Sequence, residues 1–279
     1  MPCLVLLSVE PYVAIRPRLV RLAYGLLGDL AESEDIVQDA WLRLNRTEEQ
    51  PDDVEGWLVV TVSRLALDVL KSARKRREEY VGPWLPEPVV DADPADRVTL
   101  DESLSLAMFV VLESLSPAER TAFVLHDVFG VPFDEVARAV GRTPAACRQL
   151  AARARRHVQE KAPRFDVDVD DHKRVVDAFA AACAGRDIEG LLAVLDPDVV
   201  LRSDGGGLVK AALRPIQGAG KVARFLLATS KPGLRPAVVN GAPGLVRDDP
   251  PAVYGLAVRE GRVVAVDIVR NPEKLRSLQ

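Results

Sequence analysis

Residues 132–157 (PFDEVARAVGRTPAACRQLAARARRH) place basic and amide side chains at the spacing of one helix face. Arg142, Arg148, Gln149, Arg153, Arg155 and Arg156 fall on the outside, while Cys147, Leu150 and Ala154 point inward at helical spacing. Val136, Ala137 and Val140 give the preceding helix its own apolar stripe. Between the two, Gly141 tolerates the positive φ of a tight turn, Thr143 can cap the second helix and Pro144 suits its first turn. The pattern predicts helix, turn, helix with a basic outer row. Such a row fits the major groove of DNA, where Arg forks onto guanine edges and positive charge holds phosphate. A plain helical hairpin with a solvated basic face is the alternative. Ala145, Ala146, Ala151 and Ala152 are read as leaving the outer surface smooth.

The rest of the chain must carry and aim that face. With 279 residues there is room for two or three domains, each with its own core. A net charge of −4 looks wrong for a nucleic-acid binder, but its distribution decides the matter. Residues 71–77 (KSARKRR) hold five positive charges and no negative ones, and residues 142–164 hold seven Lys/Arg against Glu160 alone. Residues 78–102 hold eight acids against Arg97 alone. Attraction to phosphate acts over about a Debye length, so the two basic patches set affinity, not the total. Cys3, Cys147 and Cys183 lie in no metal spacing, and Cys147 and Cys183 fall on apolar helical positions. This sparse, odd count fits a reducing compartment, and no apolar run approaches the roughly 20 residues of a membrane span. The reading is a cytoplasmic protein without membrane attachment, metal or cofactor.

Four parts follow from pattern. The first domain, residues 1–80, reads as helical from residue 12, with an amphipathic helix ending near Gly28, a second capped by Ser33, and a long third from Gly56 into the basic run. Residues 81–103 are rich in Pro and Asp and read as a linker. Residues 104–163 are helical again. From 164 to 279 two helices (about 170–184 and 187–195) precede Val-rich runs, VVLRS, LVKAAL, PAVVNG, AVYGLAVRE and RVVAVDIV, interrupted by a helix near GAGKVARFLLATS. Alternation with glycine turns predicts antiparallel strands. The fold class is therefore multidomain: two all-α domains, the second a helix-turn-helix, followed by an α+β domain.

In the second helix Ile36, Val37, Ala40, Trp41 and Leu44 make the core stripe, leaving Asp35, Gln38, Asp39, Leu42 and Arg43 outside. The segments AESEDIVQDAWLRL, EGWLVVTVSRLALDVLKSARKR and LESLSPAERTAFVLHDVFGVPFDEVARAVGRTPAACRQLAARARRH fall in one order over most of residues 10–160. In that order they resemble the two polymerase- and DNA-binding regions of bacterial sigma factors of the extracytoplasmic-function type. The resemblance implies core RNA polymerase (β′ clamp helices and β flap) and promoter DNA as partners. It puts the clamp-helix contact on Asp35, Gln38, Asp39, Leu42 and Arg43. It implies that the first region opens the minus-ten element, with a flipped base in the loop Asn45–Asp53 and with Arg64, Asp68, Lys71, Arg74 and Lys75 nearby. It gives the minus-thirty-five element to Arg142, Thr143, Arg148, Gln149 and Arg153, and phosphate alone to Arg155 and Arg156.

The C-terminal part resembles the SnoaL-like, NTF2-like fold, a curved sheet around helices forming a cone with a pocket. Sigma factors with this extension share three signatures found here: WLPEP at Trp84–Pro88, DGGG at Asp204–Gly207 and NPEKL at Asn271–Leu275. The resemblance implies that Trp84, Leu85 and Pro86 dock near Asp204, Gly205, Gly206 and Gly207 and near Asn271, Pro272, Lys274 and Leu275. The extension would then tune activity in cis, and cutting the chain after about residue 165 would change transcription. Two other readings stay open. One is an isomerase- or cyclase-type enzyme using Asp204 or Asp267 as base opposite Tyr254, with His172 at the surface. The other is a one-component repressor with a sensor domain. A small ligand in the pocket is compatible with all three.

Overall fold

A computed structural model describes residues 9–47, 49, 51–91, 104–161, 168–229 and 231–278. The chain forms two compact units, one from residues 1–76 and 113–157, the other from 77–112 and 158–279.

In the first unit, α1 (Val9–Leu27), α2 (Leu30–Asn45) and α3 (Val54–Glu78) are followed by α5 (Pro117–Phe123), a π-helical turn at Val124–Val128, α6 (Phe133–Val140) and α7 (Pro144–Lys161). Helix α2 starts at Asp29, whose carboxylate accepts from Glu32 N at 2.9 Å. The expected cap, Ser33, is instead fully buried one turn in and donates its hydroxyl to Asp29 O. Both residues suit a cap, and the one that precedes the buried stripe takes the position. Ile36, Val37, Ala40 and Leu44 bury against α1, which brings Leu19, Leu22, Ala23 and Leu26. Each buried Ile, Val or Leu among them stabilises by about 1.5–3 kcal/mol. Trp41 is half-buried and stacks on Tyr12 with centroids 4.1 Å apart. Asp53 caps α3, accepting from Gly56 N at 2.9 Å. Helix α5 opens with a capping box between Ser116 and Glu119, and the hydrogen bonds from Ser116, set against burial, hold the Glu119 carboxyl below the ordinary range.

In the second unit, α4 (Leu106–Glu113), which ends in the first unit at Glu113, contributes residues 106–112. With it come α8 (Val169–Gly185), α9 (Ile188–Val194), α10 (Ala219–Thr229) and one seven-stranded sheet. The strands are β1 (Val90–Asp91), β2 (Leu195–Asp204), β3 (Ile216–Gln217), β4 (Arg235–Val239), β5 (Ala242–Arg247), β6 (Ala252–Arg259) and β7 (Arg262–Val269), in the order β1-β4-β5-β6-β7-β2-β3. All pairs are antiparallel except β2 with β7. One side of the sheet packs on the helices: Val176, Phe179, Leu191, Val222 and Leu226 meet Leu201, Leu245, Tyr254, Leu256 and Ile268. The other side packs on the linker and α4: Val239, Val246, Val253 and Val269 meet Leu85, Leu106 and Leu275.

Five expectations need correction here. LVKAAL (208–213) is a turn and irregular chain, not a strand, and leaves Leu208 and Leu213 exposed. It is a mostly apolar run, but it follows three glycines and pairs with no strand among the described residues. Residues 242–247 form β5, which Pro243 and Gly244 concealed. His172 is buried, its Nε2 within 2.9 Å of Leu256 O, because the imidazole can satisfy itself on a carbonyl of β6. Ala151 is fully buried beside Cys147 and Ala154, so it belongs to the inner row of α7 and not its outer surface. The linker also differs from a bare connector: Val90 and Asp91 pair with Val239 and Val238 as an edge strand.

Candidate nucleic-acid interface

The helix-turn-helix is α6, the turn at Gly141–Thr143, and α7. Gly141 ends α6 at φ +71°, a left-handed conformation that a side chain would strain. The Thr143 hydroxyl accepts from Ala146 N at 3.2 Å and starts α7. Val136, Ala137, Cys147, Leu150 and Ala154 are buried, which rolls the opposite face of α7 outward. Arg142, Thr143, Arg148, Gln149, Arg153, Arg155 and Arg156 are all exposed. They are not equally free. Arg148 lies over the Phe133 ring, 5.3 Å from its centroid. Arg153 approaches Glu119 at 3.6 Å. Arg155 is held by Asp127, with Nε donating at 2.7 Å and Nη2 to the same oxygen. Asp127 sits in the π-helical turn, and that long-range clamp carries no local signal in the sequence.

On α2, Asp35, Gln38, Leu42 and Arg43 are exposed and Asp39 is half-exposed. Asp39 pairs with Arg43 at 3.0 Å one turn along, and Leu42 is 44% exposed between them. The face is a mixed polar surface around one apolar side chain. On α3, Asp68 pairs with Lys71 at 2.9 Å, both exposed. Arg64 donates Nε and Nη2 to Arg138 O at 2.9 and 2.8 Å, which ties α3 to the end of α6. The side chains of Arg74 and Lys75 lie outside the described residues.

The second unit brings the three short signatures together around Asp204, which is fully buried. Its carboxylate accepts from the Leu85 backbone N at 2.9 Å, the Gly206 N at 2.9 Å, the Tyr80 hydroxyl at 2.6 Å and Lys274 Nζ at 2.8 Å. Lys274 Nζ also donates to Leu85 O and lies over the Trp84 and Tyr80 rings, 4.3 and 5.1 Å from their centroids. Asn271 Nδ2 donates to the Tyr80 hydroxyl at 3.0 Å. Leu85, Pro86, Gly205 and Leu275 are buried, whereas Pro272 and Gly207 are exposed. At Gly206, φ +64°, an added Cβ would fall 2.5 Å from Asn271 Nδ2, so only glycine allows the two loops to meet. Burial, the Asp204 hydrogen bond and the Asp204 charge together push the Tyr80 phenol far above its ordinary value, against a smaller opposite pull from Asn271. Tyr80, just outside WLPEP, is the member of this cluster that pattern did not reveal. Among the described residues no group of three or more His, Cys, Asp or Glu is placed to hold a metal, and no helix is long and apolar enough to cross a membrane.

A helix-turn-helix with an exposed basic second helix, in one unit with a three-helix module and followed by an α+β sheet domain, defines the class of multidomain DNA-binding proteins. The family described as Sigma-70 region 2 matches residues 12–76, and that described as Sigma-70, region 4 matches residues 106–158. The chain belongs to the extracytoplasmic-function (ECF) RNA polymerase sigma factors. It is 42% identical to the ECF RNA polymerase sigma factor SigJ of Mycobacterium tuberculosis H37Rv, over 96% of this chain and 93% of that one. It is 38% identical to the probable ECF sigma factor SigI of M. tuberculosis CDC 1551, over 95% and 94%. The crystal structure of M. tuberculosis SigJ superposes with a TM-score of 0.80 at 39% identity, covering 96% of this chain and 98% of that one.

Proposed function

We propose that this sigma factor binds core RNA polymerase in the cytoplasm through the exposed face of α2, with Leu42 as apolar contact and Asp35, Gln38, Asp39 and Arg43 around it. The loop Asn45–Asp53 and the basic end of α3, Lys71, Arg74 and Lys75, take the opened minus-ten strand. Of the residues assigned there, Arg64 must exchange its Arg138 carbonyl, and Asp68 its Lys71 partner, to take part. In the duplex minus-thirty-five element, Arg142, Thr143, Arg148 and Gln149 read bases. Arg153 joins them after leaving Glu119, while Arg155 and Arg156 hold phosphate.

The C-terminal domain tunes this activity in cis, through the linker. The observation that carries this is the Asp204 junction. Leu85 and β1 are built into the C-terminal sheet domain, so the described first part of the segment between the two proposed promoter-binding regions is fixed to that domain. Non-enzymatic action is supported by the engagement of both candidate bases: Asp204 is bound by Lys274, and Asp267 by Arg202 at 2.6 Å.

The experiment is in vitro transcription with core polymerase and full-length protein carrying Trp84→Ala or Lys274→Met. Full-length variants serve better than a cut after residue 165, since that cut strips Leu85 and Leu106 of the sheet that buries them. Transcript yield changes while polymerase affinity holds. Unchanged yield from both variants removes the cis-regulatory part, and failure of the wild-type protein to bind core polymerase removes the whole reading.

A further inference from the structure

Between α5 and α6 the backbone is wound one residue wider than an α-helix: Phe129 N donates to Val124 O, five residues back, at 3.1 Å. Two consecutive side chains of that turn reach toward α7. The His126 ring stacks on Phe133 with centroids 3.8 Å apart, and its Nδ1 lies 3.1 Å from Val131 O. Arg148 in turn lies over the Phe133 ring, 5.3 Å from its centroid. Asp127 takes Arg155: its Oδ1 accepts from Nε at 2.7 Å and from Nη2. Arg148 and Arg155 are seven residues apart, so they share one face of α7, about 10 Å apart along its axis.

The two contacts have opposite consequences. A ring face attracts a guanidinium without using its N–H groups. Arg148 is exposed, and among the described residues no hydrogen bond or ion pair holds it, so its donors stay available while Phe133 limits where they point. Asp127 instead occupies Nε and Nη2, an edge with which a guanidinium forks onto phosphate or guanine. The Asp127 side chain is 16% exposed against 47% for Arg155. A pair with so open an arginine adds little to stability, but it decides what Arg155 is free to bind. That choice matters because phosphate contacts are alike for every sequence, whereas base-edge contacts are not.

Resting on α7 as the reader of the minus-thirty-five duplex, we propose that the π-helical turn sorts the arginines of that helix. Phe133, backed by His126, is the positioning residue that aims Arg148 at a base edge. Asp127 competes with DNA phosphate for Arg155, and so holds down the sequence-independent part of binding. Arg155 reaches phosphate only by exchanging that partner. Arg156, which has no ion pair among the described residues, makes its phosphate contact without such an exchange.

The test uses holoenzyme assembled from core polymerase and the full chain, read by anisotropy over a salt series on two duplexes. One is the duplex that wild-type holoenzyme selects from a random library, and the other is a scrambled duplex of the same length. Arg148→Ala lowers the ratio of the two affinities by about tenfold. Phe133→Leu lowers the same ratio by about threefold, leaves the scrambled duplex bound as before, and adds nothing in the Arg148→Ala background. Phe133→Tyr, which keeps the ring, keeps the wild-type ratio. Asp127→Asn tightens both duplexes alike, by about threefold, and steepens the salt slope by about 1, because Arg155 then neutralises one further phosphate. Lost packing alone would weaken both duplexes and leave the slope as it was. If Phe133→Leu does not fold, His126→Leu, which removes the ring behind Phe133, carries that arm. An unchanged ratio in the folded Phe133 or His126 variant, or an unchanged slope in Asp127→Asn, overturns the sorting. An unchanged ratio in Arg148→Ala overturns instead the base-reading role given to Arg148 above, so the two failures are told apart.

Discussion

Asp204→Asn replaces the carboxylate at the linker junction with an amide of the same shape. Four donors converge on Asp204, from Tyr80, Leu85, Gly206 and Lys274. The amide offers one oxygen and one NH2 group. The Tyr80 hydroxyl can turn and accept, but the backbone N–H groups and the Lys274 ammonium cannot. Lys274 is 12% exposed and loses its counter-ion. Breaking a buried ion pair by removing one partner costs about 3–5 kcal/mol. Because Nζ keeps the Leu85 carbonyl and the faces of Trp84 and Tyr80, we expect the lower end, about 3 kcal/mol. For a unit of this size that lowers the unfolding temperature by about 6–12 °C. Calorimetric unfolding of the full chain measures it, alone and in a cycle with Lys274→Met. The double variant should be less destabilised than the two single losses combined, since deleting both charges removes the stranded cation. A single-variant loss under about 0.5 kcal/mol, or strict additivity in the cycle, would refute the claim that this pair locks the linker to the sheet.

Three other outcomes are expected. Arg148→Ala should weaken holoenzyme binding to a minus-thirty-five duplex by about 1–3 kcal/mol and relax sequence preference, whereas Arg156→Ala should weaken all sequences alike and lower the salt slope by about 1, both read by anisotropy over a salt series. Leu42→Asp should lower core-polymerase affinity without changing the unfolding temperature, since the side chain is 44% exposed, and competition against a labelled sigma factor measures it. Stability should be full below the ordinary thiol pKa and fall as pH rises from about 9 toward about 12, because the Cys183 thiol holds its proton in the folded chain and releases it more readily when unfolded. The raised Tyr80 phenol acts in the same direction, and chemical denaturation at stepped pH reads the slope.

Features set by neighbouring residues were legible in the sequence. Gly141, Thr143 and Pro144 declared the turn and the start of α7 because φ limits and capping are local. The outer row of α2 was legible from its period alone. Features set by distant residues were not. Nothing near Arg155 announces Asp127, and nothing near Val90 announces Val239 as its strand partner. Asp29 and Ser33 are both good caps, and only the packing on α1 selects between them. LVKAAL shows that a short apolar run without a pairing strand is not enough. The meeting of Trp84, Asp204 and Lys274 was expected from resemblance, while Tyr80 required the structure.

Strand β5 alternates between two audiences. Leu245 and Arg247 look toward α8–α10, and Val246, between them, touches the cluster that receives Leu85 and Leu106. A ribbon this thin cannot tilt on one side without tilting on the other. A shift at Arg247 therefore reaches Val246, and with it the packing of Leu85 and Leu106 on the sheet.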